Sequence, residues 1–164
     1  MKISILLPYK ENFSPNYPGA VSLFVKDTST ISKYKNNIKI FGSTSYKKKL
    51  LRNYINIKLQ KNLFQGNNLL YVNKFLEYEK KRNSKIIEVH NRPSYLKLIK
   101  NKTKAKILLY FHNDPLSMLG SKTISERKDL LKICDKIIFN SNWSKSRFSK
   151  SLNVIDYNDK LITI

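Results

Sequence analysis

Short, β-branched apolar runs alternate along this chain with longer segments whose apolar residues recur at helical spacing, and that alternation leaves few folds open. Ile3 to Leu7 is almost wholly apolar and ends at Pro8, as a strand buried on both faces reads. A polar loop with two prolines follows, from Lys10 to Pro18. Gly19-Ala20 opens a helical pattern in which Val21, Phe24, Val25 and Ile31 recur, and Ile38-Lys39-Ile40-Phe41 before Gly42 predicts a second strand. The basic stretch Tyr46 to Phe64 places Leu50, Leu51, Tyr54 and Ile55 at helical spacing, and Gly66-Asn67 interrupts it. Leu69 to Lys81 predicts an amphipathic helix with Leu70, Asn73, Phe75, Leu76 and Tyr78 partly on one face, stopped by Asn83-Ser84.

Beyond that point the alternation sharpens. Strands are predicted at Lys85–Val89, Lys106–Phe111, Lys136–Phe139 and Lys160–Ile164. Helices are predicted at Pro93–Lys100, with proline in the first turn, at Ser121–Ile133, and at Asn142–Lys150. Thr123-Ile124-Ser125-Glu126 has the spacing of a capping box. Strands alternating with helices specify an α/β domain with a mostly parallel, doubly wound sheet and helices on both faces. A length of 164 residues fits one domain, with no linker suggesting a second.

In such sheets ligands bind outside the carboxyl ends of the strands. The residues there are Pro8 and the loop to Gly19, then His90-Asn91-Arg92-Pro93, His112-Asn113-Asp114-Pro115 and Asn140-Ser141-Asn142-Trp143. Both histidines of the chain fall at strand ends, and each is followed by asparagine. Histidine is the side chain best suited to proton transfer near neutral pH. Asp114 could orient an imidazole or a sugar hydroxyl, and Arg92 could pair with a phosphate or carboxylate. Gly19 at a loop-to-helix junction permits close backbone approach to an anion. Each residue alone has a plainer explanation: a hydrogen-bonded structural histidine, ordinary Asn-Arg-Pro and Asn-Asp-Pro turns, a glycine cap, and a Ser141 that merely starts a helix with Trp143 packed behind it. Only their coincidence at one sheet edge raises the functional reading.

Charge and composition exclude several classes. The 32 Lys and Arg face 11 Asp and Glu, for a net charge of +21. Such a field attracts nucleic acid, anionic lipid or phosphorylated glycan. Asn and Ile are abundant too, and with Lys they share AT-rich codons, so genome composition also feeds this charge. The sole cysteine, Cys134, rules out a disulfide framework within the chain and reads as a small core residue. No apolar run reaches the length of a transmembrane helix, and the opening run is too short for a signal peptide, so a cytoplasmic location against the inner face of a membrane is expected. Phosphate-loop, dinucleotide and nucleophile-elbow motifs are missing from the sequence, and one cysteine with two separated histidines does not make a zinc site.

The segments Ile87-Glu88-Val89-His90-Asn91-Arg92-Pro93-Ser94-Tyr95 and Tyr110-Phe111-His112-Asn113-Asp114-Pro115-Leu116-Ser117-Met118 resemble family 4 glycosyltransferases of the GT-B fold. So do Ile124-Ser125-Glu126-Arg127 and the run from Cys134 to Lys145, while the opening strand with Pro18-Gly19-Ala20 looks like that family's first strand and acceptor loop. The likeness is weakest from Ser45 to Gly66 and points to the subfamily acting on lipopolysaccharide and other surface glycans. It implies the Rossmann-like N-terminal half of a two-domain enzyme, with a nucleotide sugar as co-substrate, a saccharide or lipid-linked glycan as acceptor, retention of anomeric configuration and no metal. It implies a cleft histidine near the reacting sugar at His112, Gly19 near donor phosphates or acceptor, and a cleft lined by His90, Arg92, Asn113, Asp114 and Ser141. The family's glycine pair is reduced here to Gly19-Ala20. Lys160 to Ile164 resembles the strand before the interdomain crossing, so the donor-binding C-terminal domain is expected to be absent from the chain, as in a truncated gene product, half of a split enzyme or an expressed fragment. Two other classes stay open: a non-catalytic remnant that binds glycan or a partner, and a nucleic-acid-binding domain, against which stand the absence of a helix-turn-helix, RNP or KH signature and the even spread of charge.

Overall fold

The computed structural model describes residues 1–59 and 66–164. Seven strands follow the order β3-β2-β1-β4-β5-β6-β7. They are β1 (Ile3–Leu6), β2 (Ile38–Gly42), β3 (Tyr54–Asn56), β4 (Ile86–His90), β5 (Lys106–Phe111), β6 (Lys136–Phe139) and β7 (Leu161–Thr163). The intervening helices are α1 (Ala20–Ile31), α2 (Asn67–Arg82), α3 (Leu96–Lys102), α4 (Ile124–Ile133) and α5 (Asn142–Ser149). This is the α/β, Rossmann-like architecture expected from the alternation. The chain divides into two compact units, Met1–Ile87 and Glu88–Ile164, with β4 contributing residues to both.

In the first unit β1 pairs in parallel with β2, and β2 with β3. Successive side chains of β1 serve opposite faces, as a strand's two-residue period requires. Ile3, Ile5 and Leu7 join Val21 and Val25 of α1 in one buried cluster. On the other face the Ser4 hydroxyl donates to the buried Glu79 carboxylate of α2, and the Tyr71 hydroxyl donates to the Leu7 carbonyl at 3.0 Å. Phe41 meets Phe75 edge to face, with ring centroids 5.1 Å apart. Both faces are therefore covered by helices.

Two expectations for this unit are corrected. The helical spacing read across Tyr46 to Phe64 gives no helix among the described residues; residues 60–65 lie outside them. Instead Leu50 and Leu51 drop onto the core cluster from a loop, and Tyr54–Asn56 runs as strand β3. Phe13 stacks on Tyr54 at 4.8 Å, and Ile57 donates its amide to the Gly42 carbonyl at 2.7 Å. Backbone pairing with β2 outweighs the weak local helical pattern. In α2 the buried face is Tyr71, Val72, Phe75 and Glu79, while Leu69 and Tyr78 are exposed. Glu79 is drawn inward because Ser4 and Ser84 satisfy its carboxylate. Hydrophobicity alone does not assign an acidic residue to the core. Asn83, at φ 52, closes the helix in the left-handed conformation.

In the second unit β5 pairs in parallel with β6, and β6 with β7. Phe111, Phe139 and Phe148 form a buried aromatic cluster with centroids 5.4 to 5.7 Å apart. The Arg127 guanidinium of α4 donates to the Phe148 and Lys150 carbonyls, fastening α4 to the end of α5. Lys160 donates to the Leu131 and Cys134 carbonyls at the end of α4, where the helix leaves acceptors unpaired. Cys134 is buried as expected, and burial pushes its thiol up to about 12. The capping box is formed in full: Thr123 accepts from the Glu126 amide at 3.1 Å, and Glu126 accepts from the Thr123 amide at 2.9 Å.

Gly120 sits at φ +94, and a Cβ there would lie 2.6 Å from the Ser94 backbone nitrogen. Thr123→Ala is expected to cost about 1 kcal/mol through the lost cap. Gly120→Ala should cost more than about 1 kcal/mol, because both backbone strain and a clash with main chain are introduced. Urea denaturation of the two variants checks this; a stability loss smaller at Gly120 than at Thr123 would contradict it.

Candidate functional site

The second unit gathers both histidines at adjoining strand ends. His90 is the last residue of β4, and His112 follows β5 directly. Tyr110 and His112 are two residues apart and so share a face. The three rings lie nearly parallel: His90 on Tyr110 at 4.6 Å and 15°, His90 on His112 at 5.2 Å and 20°. Nδ1 of His90 and Nε2 of His112 are 2.9 Å apart, so one ring carries the proton that the other accepts. Glu88, two residues before His90, brings its carboxylate to 3.9 Å from His90 Nε2. A carboxylate, a buried imidazole and a half-buried imidazole are thus set in sequence.

The electrostatics of this row follow from burial. Desolvation first, and the adjacent His90 second, lower the His112 pKa to about 4. His112 is therefore a neutral imidazole at pH 7, able to donate or accept a hydrogen bond but too weak a base to take a full proton from an alcohol. Burial, followed by the Glu88 charge, raises the Tyr110 hydroxyl well above its ordinary range and keeps it protonated.

Two asparagines hold the His112 backbone. Asn91, at φ 51, accepts the His112 amide on its side-chain oxygen at 2.8 Å and donates its own amide to the Tyr110 carbonyl. Asn140 donates its side-chain amide to the His112 carbonyl at 2.8 Å and its backbone amide to Phe111. Neither was singled out from the sequence as a site residue. The signal lay in the strand-end motifs: asparagine directly follows β4 and β6, the strands on either side of β5, and it tolerates left-handed backbone.

The other expected residues divide. Arg92 is half-buried beside His90 and donates to the Asn91 carbonyl at 2.8 Å. Asn113 is exposed and makes no hydrogen bond among the described residues. Asp114 is held by Arg147, whose Nη2 and Nε lie 2.9 and 3.3 Å from its carboxylate, and it also accepts the Leu116 amide. Those bonds, the Arg147 one foremost, hold its carboxyl below the usual range. Arg147 in turn lies over the ring of Trp143, which is 60% exposed rather than packed behind the helix. Ser141 caps α5, accepting the Ser144 amide at 3.2 Å.

Gly19 belongs to the first unit, where it precedes α1. The anion position at that helix start is filled by the chain itself: Glu11 accepts the Ser22 amide at 3.1 Å. A Cβ on Gly19 would lie 1.9 Å from the Glu11 carboxylate oxygen. The glycine is thus required by an internal carboxylate.

Comparison with solved structures bears on the fold. A glycosyltransferase from Rickettsia africae aligns with 99% of this chain and 42% of its own, at 18% identity and a TM-score of 0.60. Sucrose-phosphate synthase from Thermosynechococcus elongatus aligns over 100% of this chain and 47% of its own, at 10% identity and a TM-score of 0.62. A UDP-N-acetylglucosamine 2-epimerase follows with a TM-score of 0.55, 9% identity, and coverage of 98% and 47%. The chain therefore spans less than half the length of each of these neighbours. No protein-family model matches the sequence, and no curated protein matches it.

The lowered His112 pKa fixes the sign of a pH effect. The unfolded chain takes up this proton near 6.5 and the folded chain only near 4, so stability falls as pH drops through that window and levels off below it. Unfolding free energies measured from pH 7 to 4 should decline less steeply in His112→Gln than in the parent. Superimposable pH profiles would contradict the assignment. In the first unit, Gly19→Ala should displace Glu11 and lose the cap, costing about 0.5–2 kcal/mol.

Proposed function

We propose that residues 1–164 form the acceptor-side domain of a two-domain glycosyltransferase of family 4 type, which moves a hexosyl unit from a nucleotide sugar to a saccharide or lipid-linked glycan. The observation that carries this reading is the neutral, doubly anchored His112 at a strand end, in a fold that solved glycosyltransferases share. A neutral imidazole hydrogen-bonds a sugar hydroxyl without drawing charge into the site. Its backbone is pinned by Asn91 and Asn140 and its Nε2 meets His90 Nδ1 at 2.9 Å, and positioning of a hydrogen-bonding group lowers an activation barrier without chemistry by the side chain itself. Arg92 offers a permanent charge beside the histidine row for a phosphate or carboxylate on the substrate. Stabilisation of the departing nucleoside diphosphate falls to a donor-binding domain, which the resemblance places outside these residues.

On this reading the protein works in the cytoplasm against the inner face of a membrane, where its charge of +21 meets anionic lipid. No helix among the described residues is long and apolar enough to cross a bilayer.

The test uses radiolabelled UDP-glucose, UDP-N-acetylglucosamine and GDP-mannose with the full protein and membrane glycan as acceptor, together with a donor-binding domain where one is encoded beside it. Transfer of label to glycan is expected from one of these donors. His112→Ala should lower it by about a hundredfold or more with the fold intact by circular dichroism. Epimerised donor as the only product would instead favour an epimerase. No transfer from any donor, or transfer unaffected by His112→Ala, would overturn the proposal.

A further inference from the structure

A second candidate site lies wholly within the first unit, at the carboxyl ends of β1, β2 and β3. A cavity of about 650 Å³ opens there, lined among others by Tyr9, Lys10, Ser43, Tyr46, Asn56 and Lys58. Its size fits a sugar-sized ligand with room to spare. Among the described residues no acidic side chain lines it. Neither Lys10 nor Lys58 has a carboxylate partner among the described residues. Lys49, nearby, is held below the ordinary lysine value by burial and then by the charge of Lys58, so positive charge is dense at this edge.

The polar groups are set rather than loose. Asn56 accepts the Thr44 amide at 2.9 Å and the Tyr54 hydroxyl at 3.3 Å on its side-chain oxygen, which fixes the amide and leaves its NH₂ as a donor. Thr44 is tied to Asn12 at 2.7 Å. Lys10 occupies the left-handed region at φ 65, an uncommon conformation for lysine that the surrounding loop imposes. Tyr9 rests against Tyr71 with ring centroids 5.5 Å apart, and Tyr46 is 38% exposed. Two phenol rings supply apolar faces for sugar C–H groups. The hydroxyl of Ser43 and the Asn56 NH₂ supply hydrogen bonds, and two ammonium groups supply charge for an anion.

We infer that this cavity binds a phosphorylated saccharide, its phosphate between Lys10 and Lys58 and its ring against Tyr9 and Tyr46. The inference deepens the glycosyltransferase reading by giving the acceptor an anionic group, and rests on that reading only in calling the ligand an acceptor.

Calorimetric titration of the full protein with glucose 6-phosphate, glucose and inorganic phosphate tests it. Glucose 6-phosphate should bind saturably, at least about tenfold tighter than either glucose or phosphate. Lys58→Gln should weaken that binding about fivefold or more, and so should Lys10→Gly, which removes the ammonium while glycine tolerates the left-handed backbone. Lys132→Gln, on α4 of the other unit, should leave it unchanged. Absent saturable binding of the sugar phosphate would overturn the inference. So would phosphate binding as tightly as the sugar phosphate, or affinity untouched by Lys58→Gln and Lys10→Gly in folded protein. No nucleotide sugar enters the titration, so binding without transfer would sink the catalytic reading alone, and transfer without binding would sink this inference alone.

Discussion

A parallel strand cannot return to its neighbour through a tight turn; the chain must cross over, and here it does so through helices except between β2 and β3, which residues 43–53 join without one. That constraint organises everything else. It covers β1 on both faces, with Ile3, Ile5 and Leu7 against α1 and Ser4 against Glu79 of α2. It also leaves the carboxyl end of every strand opening into a loop. The candidate residues of both sites accordingly lie just after strands: Tyr9 and Lys10 after β1, Ser43 after β2, Lys58 after β3, and His112 after β5.

At the end of β5 the protein half-buries a titratable ring and keeps it neutral. Desolvation and the neighbouring His90 both disfavour the imidazolium, while Asn91 and Asn140 hold the His112 backbone and His90 meets its ring nitrogen at 2.9 Å. The anchors come from the neighbouring strand ends: Asn91 follows the last residue of β4 and Asn140 that of β6, while Asn113, next to His112 itself, is exposed. In contrast, Asp114 and Ser141 spend their polar groups on structure, one on Arg147 and a turn, the other on a helix start. The coincidence of motifs at the strand ends is therefore in part the turn and cap chemistry that such loops require anyway.

Most strands were legible because a parallel strand writes itself as an uninterrupted apolar run; Lys106–Phe111 and Lys136–Phe139 were read at their observed limits. The Thr123 capping box was legible because it is a local device, satisfied within four residues. Strand β3 was not, since three half-buried residues at a sheet edge owe their conformation to β2 and carry no period of their own. The inward turn of Glu79 was equally hidden, because its hydrogen-bond partner Ser4 is distant in sequence. Distance in sequence also concealed Glu11 as the reason for Gly19, and the cavity at the ends of β1 to β3, whose lining converges only after three strands are paired.

The feature on which the rest turns is that His112 presents a neutral imidazole. Nuclear magnetic resonance of ¹³C- and ¹⁵N-labelled histidine across pH 3.5 to 8 reads this without reference to any substrate. The account predicts that the His112 ring holds its neutral shifts through pH 6 and titrates near 4. A His112 titration near 6.5, the value of an exposed histidine, would contradict it.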